Sequence, residues 1–257
     1  MTTWQRPSRA TVRAAGLLCA GLLGLAHAQS WSPEDSALLG AARAGNVELF
    51  RAMLRLGANA RARDDDGDSI LTLAIASDSE AMLREALARK PELDARGASG
   101  MTALGLAVVR GNESAASRLL RAGADPSVAD ANGASPLASA IRLGRDSMVA
   151  RLLAADADVD RGDRWRVTPL HLAAERGDAP LVRALLGRGA DPNHLDADGR
   201  SPLFIALFER QAEVAEVLIR WHRTDPALPS QGYEPRFWAQ QLGFPELAAL
   251  IERRLGR

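Results

Sequence analysis

Cysteine, histidine and tyrosine are scarce in this chain of 257 residues, and the first two scarcities exclude several kinds of chemistry. Cys19 is the only cysteine, so no disulfide can form within the chain. The four histidines (His27, His171, His194 and His222) lack the spacing of a metal-binding motif, and no serine nucleophile motif is present. The sequence therefore predicts no catalytic residue, no cofactor and no metal site, and we do not expect an enzyme.

Long hydrophobic runs are also lacking. The apolar run over residues 14–26 is too short to span a membrane, which takes about 20 apolar residues. It follows a start that contains three arginines and no acidic residue, and it leads into Ala26-His27-Ala28, a small-x-small cleavage motif. This pattern predicts a signal peptide over residues 1–28, cleaved before Gln29. An N-terminal anchor that is not cleaved is the alternative.

An excess of charge of one sign is lacking as well, since 32 basic residues balance 32 acidic ones. Loss of the signal peptide removes three arginines, and the remaining 29 basic and 32 acidic groups give a net charge near −3. This argues against a general nucleic-acid or membrane-surface binder.

The predicted signal peptide leads us to expect a periplasmic protein, with secretion beyond the periplasm as the alternative. Because its cysteine leaves with the signal peptide, the apolar core alone must hold the exported chain together.

What the sequence does contain is a 33-residue repeat. An apolar residue and a small residue three places later recur together along the chain. The apolar positions are Leu38, Leu71, Leu104, Leu137, Leu170 and Leu203, and the small ones are Ala41, Ala74, Ala107, Ala140, Ala173, Ala206 and Ala239. A pattern held in register over seven units predicts an array of stacked helical repeats.

Each unit carries the signals of two short helices. A Ser/Thr-Pro pair begins the first helix, because the hydroxyl caps free N–H groups and proline tolerates the first helical position. Glycines end the helices, where a left-handed residue is needed. Lys90 and Asp156 occupy glycine positions, and we expect both to be left-handed. The most complete unit contains Thr168-Pro169-Leu170-His171, with Gly177 after it.

These motifs resemble the ankyrin repeat family. The resemblance implies an all-α solenoid of about six repeats plus a C-terminal capping helix pair, in a single domain over residues 29–257. The units are predicted at about 31–63, 64–96, 97–129, 130–162, 163–195 and 196–228, with the cap at 229–257. The second unit departs most from the pattern, since Ile70 replaces the proline and Asp78 the glycine. We expect it to be the weakest part of the array.

The resemblance also implies where a partner protein docks. Ankyrin proteins usually bind on a concave face made of finger-like turn tips and the exposed sides of the first helices. The 33-residue register places six candidate contact residues there: Arg142, Arg164, Trp165, Arg176, Arg200 and Phe208. We expect Trp165 to be the main anchor, because tryptophan and arginine are favoured at protein interfaces. The alternative is that Trp165 lies flat across the adjoining turn as packing, and Arg166, in place of the usual glycine, leaves the turn geometry open.

Charge along this face is predicted to be uneven. Four aspartates surround Gly67 in an early turn, while arginines gather in the later units, so a partner of opposite polarity would be oriented. The alternative is that exposed turns are simply charged. The aspartates superficially resemble a calcium loop, but the glutamate that such a loop requires is missing.

Two further expectations concern the remaining aromatic residues. His171 stands at the histidine position of the Thr-Pro-Leu-His motif, and the resemblance to ankyrin repeats implies that it forms a structural hydrogen bond to the neighbouring turn. In the last units, Trp238 is expected to pack in the core, and Phe237 and Phe244 to seal the end of the stack.

A small-ligand or enzymatic site is the alternative function, and it would lie near Trp221, His222, Arg223 and Tyr233. A deep pocket there would favour it.

We therefore expect a non-catalytic, monomeric protein-interaction module in the periplasm. The exported bacterial ankyrin proteins that the chain resembles include some linked to peroxide defence alongside a catalase, which implies an accessory role in stress. A secreted effector is the remaining alternative.

Overall fold

The computed structural model describes residues 32–256, so the predicted signal peptide and its cleavage site lie outside the described residues. Within that range the regular structure consists of helices, with isolated bridges in place of strands. The helices are α1 (Pro33–Arg43), α2 (Val47–Arg55), α3 (Ile70–Ala76), α4 (Glu80–Leu87), α5 (Ala103–Arg110), α6 (Glu113–Ala122), α7 (Pro136–Arg142), α8 (Asp146–Ala154), α9 (Pro169–Arg176), α10 (Ala179–Gly187), α11 (Pro202–Phe208), α12 (Ala212–Arg220), α13 (Pro235–Gln241) and α14 (Pro245–Arg254). They form seven antiparallel pairs, and the predicted all-α architecture is confirmed.

The first helix of each pair begins where the sequence predicts. The side-chain oxygens of Ser135 and Ser201 each accept a hydrogen bond from a backbone N–H in the first turn, at 3.1 Å. Ser69 caps α3 in the same way although Ile70 replaces the proline, so the second unit also forms its helix pair. That this unit is the weakest stays a prediction.

Left-handed residues follow every helix except α12, which leads into an extended Trp221. Two residues beyond the second helix, φ is near 97° at Gly57 and Gly189, and Lys90 (φ 51°) and Asp156 (φ 57°) are left-handed at the equivalent repeat positions. The expectation for these two residues is confirmed. A left-handed residue with a side chain costs about 1–2 kcal/mol relative to glycine, so the array tolerates local strain at both positions.

The repeated apolar positions form the core. Leu104, Leu137 and Leu170 have no solvent exposure, and the small residues three places later are equally buried, from Ala41 to Ala239. Burying one leucine side chain contributes about 2 kcal/mol. All three leucines belong to one hydrophobic core that continues from Leu38 in the first unit to Ile251 in the last. No unit could bury this surface alone, so stability comes from stacking.

The stack curves toward its first helices. Neighbouring first helices pack closely along the whole array, whereas the second helices α6, α8 and α10 lie farther apart. The first helices and the turns that precede them therefore line the inner, concave side. Among residues 32–256, no helix is long and apolar enough to cross a bilayer.

The last helix pair closes the array. Trp238 lies half-buried against Phe204, with ring centroids 5.1 Å apart, and Phe244 packs against the core. Phe237 remains 37% exposed, so it covers the end of the stack less completely than expected. Arg254 folds back from α14 and donates hydrogen bonds to the carbonyl oxygens of Trp221 (2.6 Å) and His222 (3.3 Å), which lie just beyond the end of α12.

Candidate partner-binding surface

The turns before the first helices, which we call fingers, owe their shape to a repeated aspartate. In the finger at 163–167, Oδ1 of Asp163 accepts hydrogen bonds from the backbone N–H groups of Trp165 (2.9 Å) and Val167 (3.0 Å). Asp64, Asp130 and Asp196 make the same pair of bonds in their own fingers. These carboxylates are therefore turn-forming, and no cluster of three metal-ligating side chains occurs in the part of the chain that the structure describes.

Backbone hydrogen bonds tie the central fingers together. The N–H of Arg164 donates to the carbonyl oxygen of Asn132 at 3.0 Å, and the N–H of Ala197 donates to that of Trp165 at 2.8 Å. Arg166 adopts φ 61°, the conformation that glycine has at the equivalent position of the other fingers, so the turn keeps its geometry. The finger that carries Trp165 is thus held on both sides.

Trp165 lies at the tip of this finger with 49% of its surface exposed. The guanidinium carbon of Arg164 sits 4.0 Å from the centroid of the indole ring, a cation–π contact within the same finger. Half of the side chain remains open to solvent, which is more than a purely packed tryptophan would leave.

The other predicted arginines lie on or beside the concave face, but they already have partners. Arg142 pairs with Asp163 at 3.3 Å, and Arg176 pairs with Asp178 at 3.3 Å. Arg176 also reaches Asp146, and Arg200 pairs with Asp196 at 2.8 Å and with Asp198 at 3.1 Å. Because these pairs offset the arginine charge locally, the concave face is less polarised than the residue count indicates.

An aromatic cluster occupies the C-terminal end of the concave face. Phe208 is 56% exposed and stacks on the buried Phe204, with ring centroids 5.7 Å apart. Tyr233 and Phe237 stack at 4.3 Å, and both contact Trp238, which joins the two stacks. The sequence analysis placed Phe208 on this face but did not group it with Tyr233 and Phe237. Phe237 lies 33 residues after Phe204, and this shared repeat position could have indicated the cluster.

A comparison with models of protein families identifies the family to which this chain belongs. The model for ankyrin repeats, three copies long, matches residues 38–130, 83–163, 137–229 and 170–252. The chain belongs to the ankyrin repeat family. No curated protein matches the sequence. Ankyrin repeats are generally protein–protein interaction modules and are typically non-catalytic.

The ankyrin histidine His171 has the structural role that its slot implies. Its Nδ1 accepts a hydrogen bond from the N–H of Thr168 (3.2 Å), so Nε2 carries the proton and donates to the carbonyl oxygen of Arg200 in the next finger (3.0 Å). Burial lowers the pKa of His171 to about 4, although its bond to Arg200 and nearby Asp196 act in the opposite direction. Both nitrogens are in use in the neutral ring, which leaves none to bind a metal.

The alternative site near Trp221 finds less support in this ankyrin array. Trp221 contacts the ring of His222, while Tyr233 belongs to the separate cluster with Phe237 and Trp238. Depressions among residues 32–256 lie around Met101 and around Asn112, and none of Trp221, His222, Arg223 and Tyr233 lines either of them. The carbonyl oxygens of Trp221 and His222 instead accept from Arg254.

Proposed function

We propose that this ankyrin array binds another protein through its concave face and has no catalytic role. The observation that carries the proposal is the exposure of Trp165 and Phe208 on that face. Large aromatic side chains are favoured interface anchors, because they bury much apolar area at a low cost in conformational entropy. Arg164 adds a cation beside Trp165, and Arg142, Arg176 and Arg200 would contribute by exchanging their present carboxylates for those of a partner.

Affinity capture from the native compartment tests this proposal. A Trp165→Ala/Phe208→Ala variant should lose at least one protein that the wild type retains, with its circular dichroism spectrum and unfolding temperature unchanged. A matched control, Arg183→Ala/Glu216→Ala, alters two exposed side chains of the second helices and should retain every partner. Equal capture by all three proteins would refute binding through the concave face.

We further propose that the protein works in the periplasm, on the strength of the signal-peptide pattern, and that it does so as a monomer. The intact mass of the protein from its native host should correspond to a chain starting at Gln29. Multi-angle light scattering of that chain should give a monomer mass.

The accessory role in peroxide defence is supported by family resemblance alone. If the protein has this role, a strain that lacks its gene should lose viability in hydrogen peroxide. Normal peroxide survival would remove that role without affecting the binding proposal.

A further inference from the structure

At one position of the first helices, two units carry an arginine that reaches across to the next finger, while Ala76 and Val109 hold the position in two others. Arg43 pairs there with Asp64, and Arg142 pairs with Asp163, each 21 residues further along the chain. In the next unit the same position holds Glu175, and the aspartate opposite it, Asp196, is paired with Arg200 instead. The carboxylate of Glu175 is therefore exposed, without an ion-pair or hydrogen-bond partner among residues 32–256.

Phe208 occupies this position one unit later. One face of its ring stacks on Phe204, and because 56% of the residue is exposed, the opposite face is open to solvent. Glu209 follows at the end of α11 and is likewise exposed, with a side chain that has no partner in the described part of the chain. Packed helices lie about 8–10 Å apart, so a long side chain lying between α9 and α11 reaches all three residues. We call Glu175, Phe208 and Glu209 the acidic–aromatic patch.

The arginines that adjoin the acidic–aromatic patch in sequence make other contacts in the described part of the chain. Arg210, which follows Glu209, donates a hydrogen bond to the carbonyl oxygen of Leu242 at 3.2 Å and lies over the ring of Phe244. The side chain of Arg176 is held by Asp146 and Asp178, and that of Arg200 by Asp196 and Asp198. Both carboxylates also lie at helix C-termini, where the helix dipole adds to the negative potential and favours a cation. The ring of Trp165 already has its own cation in Arg164, whereas no arginine or lysine from residues 32–256 lies over the ring of Phe208.

We propose that the acidic–aromatic patch binds an arginine side chain of the partner protein. The planar guanidinium stacks on the open face of Phe208 and forms charge-assisted hydrogen bonds with Glu175 and Glu209. Lysine, a point charge without a plane to stack, fits less well. The inference rests on the proposed function and names the partner chemistry of the same face. It reverses the preference for an acidic partner that the arginine count alone would predict.

The test is a phage-display selection of random dodecapeptides on the mature protein, followed by resynthesis of the enriched peptides. We expect arginine at one fixed position among apolar residues. Replacing that arginine by citrulline, its neutral isostere, should weaken binding about tenfold. On a Glu175→Gln/Glu209→Gln variant most of the difference between the arginine and citrulline peptides should disappear, and only the contribution of the stack on Phe208 should remain. Glu246→Gln, which removes an exposed carboxylate from α14, should leave the difference intact.

The outcomes separate this inference from the proposed function. Peptides that need Trp165 and Phe208 but are acidic, or are insensitive to citrulline, overturn the arginine site and leave concave-face binding in place. Peptides that bind the Trp165→Ala/Phe208→Ala variant as well as the wild type overturn both, and so does a selection that yields no binder.

Discussion

At the scale of single residues, His171 links two units of the array and also makes their stability depend on pH. Its neutral ring bridges the start of α9 to the finger before α11, and a protonated ring could not accept the hydrogen bond from Thr168. In the unfolded chain its pKa returns to about 6.5, whereas burial holds it near 4 in the folded protein. Between these values the unfolded chain binds a proton that the folded one does not.

Stability should therefore fall as the pH decreases from about 6.5 to about 4. The His171 contribution is complete above pH 6.5, declines by about 1.4 kcal/mol per pH unit, and is lost below pH 4, a total of about 3 kcal/mol. Urea unfolding of the wild type and of His171→Gln across this range isolates the effect. The variant should be less stable at pH 7 and should lose less stability on acidification. His222→Gln, which alters an exposed histidine, should keep the wild-type slope, and parallel curves for wild type and His171→Gln would contradict the assignment.

Lys90 provides a second residue-scale prediction. Because its backbone is left-handed (φ 51°), glycine should remove the steric cost of its Cβ and stabilise the protein. The freedom that glycine adds to the unfolded chain offsets part of this gain, so we expect about 1 kcal/mol at most. Thermal unfolding of Lys90→Gly measures this. The neighbouring Arg89, which lacks a positive φ, is the control: Arg89→Gly should destabilise, since glycine there only adds freedom to the unfolded chain. A destabilised Lys90→Gly would count against the strain.

The sequence could locate individual residues better than their partners. Trp165, Phe208 and the arginines take the positions that the 33-residue register predicts, because the register is a local property repeated. Their ion pairs join residues on different units, so composition cannot show which charges remain open. A spacing of 21 residues between Arg43 and Asp64, and again between Arg142 and Asp163, was the available signal. At the same position Glu175 has the charge opposite to that of these arginines.

At the scale of the element, most helix boundaries could be read from the chain, since caps, prolines and glycines act within one turn. The last pair was expected from about Pro235 to Arg254, and α13 and α14 span those limits. The sequence could not show which group donates hydrogen bonds to the carbonyl oxygens just beyond the end of α12. Arg254 supplies its guanidinium to carbonyl oxygens from Trp221 and His222, 32 or more residues earlier.

Replacing Arg254 by methionine should therefore loosen α12 as well as α14. Hydrogen bonds from a charged group are worth about 1.5–3 kcal/mol, and their loss leaves the half-buried carbonyl oxygen of Trp221 without this donor. Hydrogen exchange should show faster exchange over the last turn of α12 in Arg254→Met. Arg253→Met changes an exposed neighbour and serves as the control. Unchanged protection of α12 would show that solvent replaces the arginine without cost.

At the scale of the whole molecule, the array is stable because each unit covers the apolar face of the next. Phe204 illustrates this, being 5% exposed only because α13 and Trp238 lie over it. A chain that ends before residue 229 should expose this face, and we expect it to aggregate or to unfold at a lower urea concentration than the full-length protein. Light scattering and urea unfolding measure the two effects. A truncated protein that is monomeric and equally stable would contradict the role of the last pair as a cap.

The central claim is that the concave face is where this ankyrin protein meets its partner. Photo-cross-linking in the native host tests it most directly, with p-benzoylphenylalanine placed in turn at positions 165, 208, 183 and 216. We predict that positions 165 and 208 give the same cross-linked partner and that positions 183 and 216, on the second helices, do not. Cross-links confined to positions 183 and 216 would contradict the account.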